Sequence, residues 1–269
     1  MITIIFGPPR IGKTAFLVHQ LNLSAFDYER NRAMQRAVEV KNTNGFNLTV
    51  PQHCVSANFD VRFMKQGYNS RKARFINPFR LGFANDEVKT HFTLPYETFG
   101  IMEAQKYYNS RSYKRFRDWQ SRFYEQHGHN NINILLDTQR PGLIDLNIRE
   151  LANFVEIRKL EVKYNSNGRF ERMTWKIRTF DNVGLLERYL SSGKQEKACY
   201  TEGKVFSEVN VFDLYDSYNC EPKFYAGHFE EDFDLNYCSQ VGQTKDDYIQ
   251  YLKDFDDEMP IELKKLAKD

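Results

Sequence analysis

Apolar residues in this chain gather into short runs, and the spacing of those runs predicts buried strands alternating with helices. Residues 2–6, ITIIF, form a short, β-branched, apolar run, the pattern of a strand covered on both faces. A helix is expected from the following turn to about residue 22 and a second over 24–41, with a turn cluster at 42–45. A strand is expected within 50–59, an irregular basic excursion over 62–89, and a second short strand within 92–102. A helix over 103–126 comes next, then a buried strand at 132–136 that stops at Asp137-Thr138-Gln139-Arg140-Pro141-Gly142. A short helix is expected at 143–152. From residue 154 the period shifts toward two, and Asn165-Ser166-Asn167-Gly168 divides two arms ending near Phe180, which predicts a hairpin. The remainder is acidic and aromatic, with a final helix expected over 244–266.

No apolar run approaches the ~20 residues needed to cross a bilayer, and MITIIFGPPR breaks too early for a signal peptide. Cys54, Cys199, Cys220 and Cys238 are scattered without a CxxC pair, which argues against a zinc site or disulfide framework and for reduced thiols in a cytosol. The net charge of +2 conceals an asymmetry: residues 201–269 hold 7 Lys/Arg against 17 Asp/Glu, so residues 1–200 carry 31 against 19. A basic body suits a polyanionic partner, and charge matching within the chain is the equally ordinary alternative.

The most specific chemistry lies in the turn after the first strand. Gly7-Pro8-Pro9-Arg10-Ile11-Gly12-Lys13-Thr14, followed by Ala15, fits G-x-x-x-x-G-K-[ST] between a strand and a helix, the context this phosphate-binding loop requires. Backbone N–H groups would curl around phosphate oxygens at a helix N-terminus. Lys13 would reach the β- and γ-phosphates, and the Thr14 hydroxyl would ligate Mg²⁺. Pro8 and Pro9 come before the amides that matter and stiffen the loop. The ligand expected is ATP with Mg²⁺.

Two further segments separate the P-loop classes. Phe99-Gly100-Ile101-Met102-Glu103-Ala104-Gln105 looks like a Walker B strand that ordinarily ends in Asp-Glu-Ala-Gln. Leu135-Leu136-Asp137-Thr138-Gln139-Arg140-Pro141, continuing through Ile144-Asp145-Leu146-Asn147-Ile148-Arg149-Glu150-Leu151, carries Thr-Gln-x-Pro and Ile-Asp-x-x-Ile-Arg-x-Leu. In this order the segments, spanning about residues 1–180, resemble the zonular occludens toxin (Zot) family of filamentous-phage assembly ATPases, related to the FtsK/HerA DNA pumps. The resemblance implies an α/β P-loop NTPase of the ASCE/RecA-like kind: a mostly parallel sheet flanked by helices, with a β-hairpin extension and an acidic C-terminal segment. The units expected are an ATPase core at 1–153 with a basic insertion at about 62–90, the hairpin at 154–183, and the acidic region at 184–269.

The resemblance also implies roles. Glu103 falls on the catalytic glutamate that activates water, and Gln139 on the sensor of the γ-phosphate. It implies a homo-oligomeric ring, expected to be a hexamer, in which a cation from one subunit completes the next site; Arg149 is the first candidate and Arg140 the second. An ion pair from Arg149 to Asp145 is the ordinary alternative. Met102 departs from the family, because it stands where the Mg²⁺-holding aspartate belongs and thioether sulfur is a poor ligand for a hard cation; Thr14 with the phosphates, or Asp137, could serve instead. The membrane span typical of phage assembly relatives is absent.

The reading that follows is a cytoplasmic motor coupling ATP hydrolysis to phage DNA movement, with a virion protein or inner-membrane partner for the acidic region. The rival readings are a P-loop small-molecule kinase and a nucleotide-binding assembly scaffold with weak hydrolysis. For contact with DNA, residues 62–80 with Lys65, Arg71, Lys72 and Arg74 are favoured over 107–124, where Phe116, Trp119 and Phe123 have the spacing of a core stripe. His127 and His129 fit a polar turn better than a metal site.

Overall fold

A computed structural model describes residues 1–43, 50–76, 78, 84–85, 90–91, 94–110 and 118–215. The expected final helix, Cys220, Cys238 and the ring at Phe116 lie outside them.

The strands in chain order are β1 (Ile2–Phe6), β2 (Val55–Ala57), β3 (Arg62–Phe63), β4 (Arg71–Lys72), β5 (Arg74–Phe75), β6 (Ala84–Asn85), β7 (Thr90–His91), β8 (Thr98–Ile101), β9 (Asn133–Thr138), β10 (Ala152–Tyr164), β11 (Phe170–Phe180) and β12 (Thr201–Ser207). The helices are α1 (Lys13–Ala25), α2 (Tyr28–Thr43), α3 (Asp118–Gln126), α4 (Leu146–Glu150) and α5 (Val183–Ser191). Eight strands form one sheet in the order β12-β11-β10-β1-β9-β8-β2-β5. From β10 to β5 every pairing is parallel, while β11 and β12 add antiparallel. The fold is therefore α/β with a mostly parallel sheet and helices on both faces, as expected.

Alternation along β1 builds two cores. Ile5 faces Phe16, Leu17 and Leu21 of α1 and Met34 and Val38 of α2. Ile2, Ile4 and Phe6 face the other way, toward Tyr124 of α3, Ile148 of α4 and Leu186 and Tyr189 of α5. Enclosure on both faces is why β1 and the middle of β9 read as mostly apolar rather than alternating.

Several boundaries differ from the sequence reading, each for a local reason. The first helix continues to Ala25, and the second starts at Tyr28 because Asp27 Oδ1 accepts the Arg30 N–H at 3.0 Å, a capping bond that fixes its entry. The helix expected from residue 103 does not form there, and the α-helix of this stretch is described over Asp118–Gln126. Glu103 has φ 54°, a tight turn follows at Ala104–Lys106, and the chain then crosses to bond Asp145 N to Tyr108 O at 2.8 Å. The hairpin arms are β10 and β11, and the first half of β10 is itself a core strand paired with β1. The strand β12 and helix α5 had no sequence expectation.

Among the described residues, no helix is long and apolar enough to cross a membrane. Cys54 and Cys199 are buried free thiols. His127 belongs to a tight turn before β9, with its Nδ1 on the Tyr124 carbonyl. Phe123 packs edge-on against Phe99, 6.2 Å between centroids, so this member of the aromatic stripe serves the core. Of the favoured basic stretch, Arg74 is sealed into an ion pair with Glu97, and Arg71 lies over the Phe26 ring and donates to the Ala25 carbonyl. Both cations hold the fold together. Lys72 pairs with Asp60 at 3.3 Å, and Lys65 lies over the Tyr68 ring.

Candidate nucleotide site

The loop after β1 is shaped by two glycines with positive φ. At Gly7, φ 151°, a Cβ would fall 2.9 Å from the Ile157 carbonyl oxygen; at Gly12, φ 91°, it would fall 2.7 Å from Leu160 Cδ2. Both obstacles come from β10, so the hairpin strand is the wall against which the loop is pressed. Only a residue without a side chain has both the space and the freedom to turn there. Pro8, Pro9 and Arg10 form the exposed crest, with Arg10 at φ 60°. Ile11 tucks its Cγ2 3.2 Å from the Gly7 Cβ position, and Ala15 is sealed in the core.

Gly12 is the N-cap of α1, so no side chain accepts a first-turn N–H, and that turn holds no acidic residue. The amides and the positive end of the helix dipole are left for an anion. Lys13 folds back over the loop, 8% exposed, its ammonium donating to the Pro8 carbonyl at 3.0 Å. A second brace comes from β11: Trp175 Nε1–H donates to the Gly12 carbonyl at 3.2 Å, and its ring packs against Phe16 and His19.

Register brings the other segments to the same edge. Phe6 lies level with Thr138, and Ile101 level with Leu136, so β1, β9 and β8 end side by side. At this carboxyl edge Asp137, 1% exposed, joins the parts. Its Oδ2 accepts the Thr14 hydroxyl at 2.8 Å and its Oδ1 accepts the Glu103 N–H at 3.1 Å. Burial pushes the Asp137 carboxyl above the usual range and the nearby Glu103 charge adds to this, while the two hydrogen bonds and Lys13 pull the other way.

Glu103 holds a left-handed backbone rare for a residue with a side chain, and its Oε2 accepts from Gln105 Nε2 at 2.5 Å. Strain of this kind persists only where surroundings over-determine it. Here Asn58 does so, accepting the Met102 N–H at 2.8 Å and donating to the Met102 carbonyl at 3.1 Å. Met102 itself is 8% exposed and contributes no oxygen. The oxygens suited to a hard cation are Thr14 Oγ1 and the Asp137 carboxylate, so the donor set fits Mg²⁺ although the usual aspartate is missing from β8.

Gln139 is exposed one residue beyond β9, and Arg140 follows, also exposed. Arg149 is directed into its own chain: its Nε donates to the Ile144 carbonyl at 3.0 Å, and it pairs with Glu187 of α5 at 3.4 Å. Its partner is thus Glu187, not Asp145, which instead caps α4 through the Asn147 N–H. Asn58, Gln105 and Trp175 went unassigned in the sequence. Asn58 carries a weak signal, a polar residue just past the short buried strand Val55–Ala57; Trp175 shows only the alternation of its strand.

A comparison with curated proteins finds no match. Among solved structures, the N-terminal domain of zonular occludens toxin from Neisseria meningitidis is similar at 20% identity and TM-score 0.44, over 80% of this chain and 98% of that one. The genome packaging NTPase B204 of Sulfolobus turreted icosahedral virus 2, in complex with ATP-gammaS, is similar at 10% identity and TM-score 0.34, over 68% and 93%. A family model described as zonular occludens toxin (Zot) matches residues 1–218, most of the length and all three segments of the site, so the chain belongs to the Zot family.

Proposed function

We propose that the chain binds ATP at this carboxyl edge, hydrolyses it, and as a homo-oligomeric ring in the cytoplasm couples turnover to the movement of phage DNA in virion assembly or packaging. The observation that carries the reading is the Asp137 carboxylate, bonded at once to the loop threonine and to the backbone of the candidate catalytic glutamate. Three segments distant in sequence thereby share one carboxylate, an arrangement with no use to a chance Gly/Pro turn.

In this reading the loop amides and Lys13 hold the β- and γ-phosphates. Thr14 would ligate Mg²⁺, and Asp137 would hold its water; the ion supplies charge neutralisation at the phosphate oxygens. Glu103 takes the proton from the attacking water, which Gln139 orients. Arg140, exposed at the edge, is the better placed cation for a neighbouring subunit's site, since Arg149 is engaged with Glu187. The acidic C-terminal region is assigned to a virion or membrane protein.

Lys13→Ala and Glu103→Gln each lower turnover about 10²–10⁴-fold, with Glu103→Gln still binding nucleotide. Equal turnover in wild type and both variants would remove the enzyme claim. Stimulation by DNA separates a motor from a small-molecule kinase. Met102 favours the scaffold reading, which predicts tight ATP binding without turnover, insensitive to Gln139→Ala.

A further inference from the structure

The first half of β10 lies level with β1, but β10 continues past Glu156, the partner of Phe6, and carries the hairpin beyond the carboxyl edge of the parallel strands. One face of this projection packs inward through Leu160, Trp175 and Met173. On the other face the register sets Lys159 opposite Lys176 and Lys176 opposite Lys204, a row of three lysines across three strands. Directly opposed like charges weaken a sheet. Relief is slight: Glu161 Oε1 lies 3.0 Å from Lys159 and 3.1 Å from Lys176, and all three side chains are exposed.

Beyond that row Lys163 lies opposite Arg172, and the Arg172 guanidinium sits 5.1 Å from the centre of the Phe206 ring. Phe206, level with Thr174 and so on the lysine face, is 50% exposed. Toward the base of the hairpin the character changes. Glu156, Arg178 and Glu202 form a mixed row, with Arg178 2.9 Å from Glu202 and the α5 tyrosine Tyr189 bonded to Glu156. Among the described residues the distal half alone is cationic, carries the exposed Phe206 ring and is covered by no other element.

We infer that this distal face binds a single strand of nucleic acid, with the lysine row on its phosphates and the ring of Phe206 against an unstacked base. An anion along the row removes the repulsion that the register imposes. The exposed Phe206 ring favours a single strand over a duplex, whose bases are already stacked. The inference rests on the proposed DNA-moving function for the kind of ligand, and on no step of ATP chemistry.

The test is fluorescence anisotropy of a labelled oligodeoxythymidylate of about 30 nucleotides and of a duplex of the same length, using the full chain without nucleotide across a salt series. Replacing Lys159, Lys176 and Lys204 together by Gln weakens oligonucleotide binding at least tenfold and flattens the slope of log K against log[salt] by about 2. Phe206→Ala weakens it about tenfold. The triple variant melts close to wild type, because the two exposed ion pairs to Glu161 that it loses are worth little, the opposed charges go with them, and no packing is lost. Unchanged affinity and slope in the triple variant overturn the inference. So does duplex binding as tight as single-strand binding and indifferent to Phe206→Ala, as does failure of the wild type to bind either probe. An inactive ATPase whose oligonucleotide binding still depends on the lysines sinks the motor and leaves the surface standing; an active ATPase with lysine-independent binding does the reverse.

Discussion

In β1, β8 and β9 nearly every side chain is enclosed, and polar atoms collect at the carboxyl ends, where Asp137, Thr14 and Glu103 each meet a partner. In the distal part of β10–β12 one face is packed against the loop, and the other shows charges to solvent in register. The contrast concerns how much a polar residue reveals. A buried carboxylate costs several kcal/mol in order-of-magnitude terms unless it is engaged, so Asp137 has to be explained by a use. An exposed lysine costs almost nothing, and only its repetition across three strands carries information. The two halves meet at Gly12, where Leu160 and Trp175 brace the loop from the hairpin side.

The sharpest break between the halves comes from Asp137→Asn. The loop keeps its shape, since Leu160 and Trp175 still hold Gly12, but the carboxylate beside Thr14 is gone. Loss of such a positioning carboxylate weakens metal affinity about 10–100-fold, measured as the Mg²⁺ concentration needed for tight binding of a fluorescent ATP analogue. Adding Met102→Asp to that variant restores part of the loss by returning an oxygen to β8. An Mg²⁺ dependence unaltered by Asp137→Asn would make the residue a structural strut.

Trp175→Phe tests whether the hairpin braces the cradle. The ring contacts with Phe16 and His19 persist in part, and the bond to the Gly12 carbonyl is lost. One neutral hydrogen bond contributes about 1 kcal/mol, which lowers the melting temperature by about 2–4 °C in a domain of this size. Nucleotide affinity falls several-fold alongside, read by titration calorimetry. A lower melting temperature with unchanged affinity would mean that the hairpin stabilises the sheet and leaves the loop indifferent.

The two halves also differed in how far they could be read from sequence. The central strands β1 and β9 and the loop were legible because burial on both faces leaves mostly apolar runs, and because phosphate binding demands glycine, lysine and threonine at fixed spacing. The hairpin arms were legible from alternation and the Asn165–Gly168 turn. What could not be read depended on register. The sequence offered Asp137 only as one alternative, and that it meets Thr14 follows from β9 lying between β1 and β8. Glu103 begins no helix because Asn58, 44 positions upstream of Met102, fixes the preceding peptide from both sides. The engagement of Arg149 by Glu187 spans 38 positions, and the lysine row exists only once three strands are paired.

The smallest effect expected is a pH dependence where the hairpin touches α1. His19, 4% exposed, stacks on Trp175 with centroids 5.2 Å apart, and among the described residues its Nδ1 has no partner. Burial pulls its pKa from 6.5 down to about 4. His53 is pulled equally far, also chiefly by burial, with Nδ1 accepting the Val55 N–H at 3.1 Å and Nε2 meeting the Lys72 carbonyl at 2.8 Å. Both rings are neutral in the folded chain, while the unfolded chain binds protons from pH 6.5 downward. Their contribution to stability is therefore whole above pH 6.5 and is lost as pH falls toward 4. His19→Phe keeps an aromatic ring on Trp175 and removes roughly half of that histidine contribution, seen as a smaller drop in melting temperature between pH 7 and pH 4.5. His53→Phe also breaks two hydrogen bonds and destabilises at every pH, so His19 is the cleaner probe. A His19→Phe variant with the wild-type pH slope would mean that solvent reaches the ring, and that the hairpin does not close over α1 tightly enough to brace the loop.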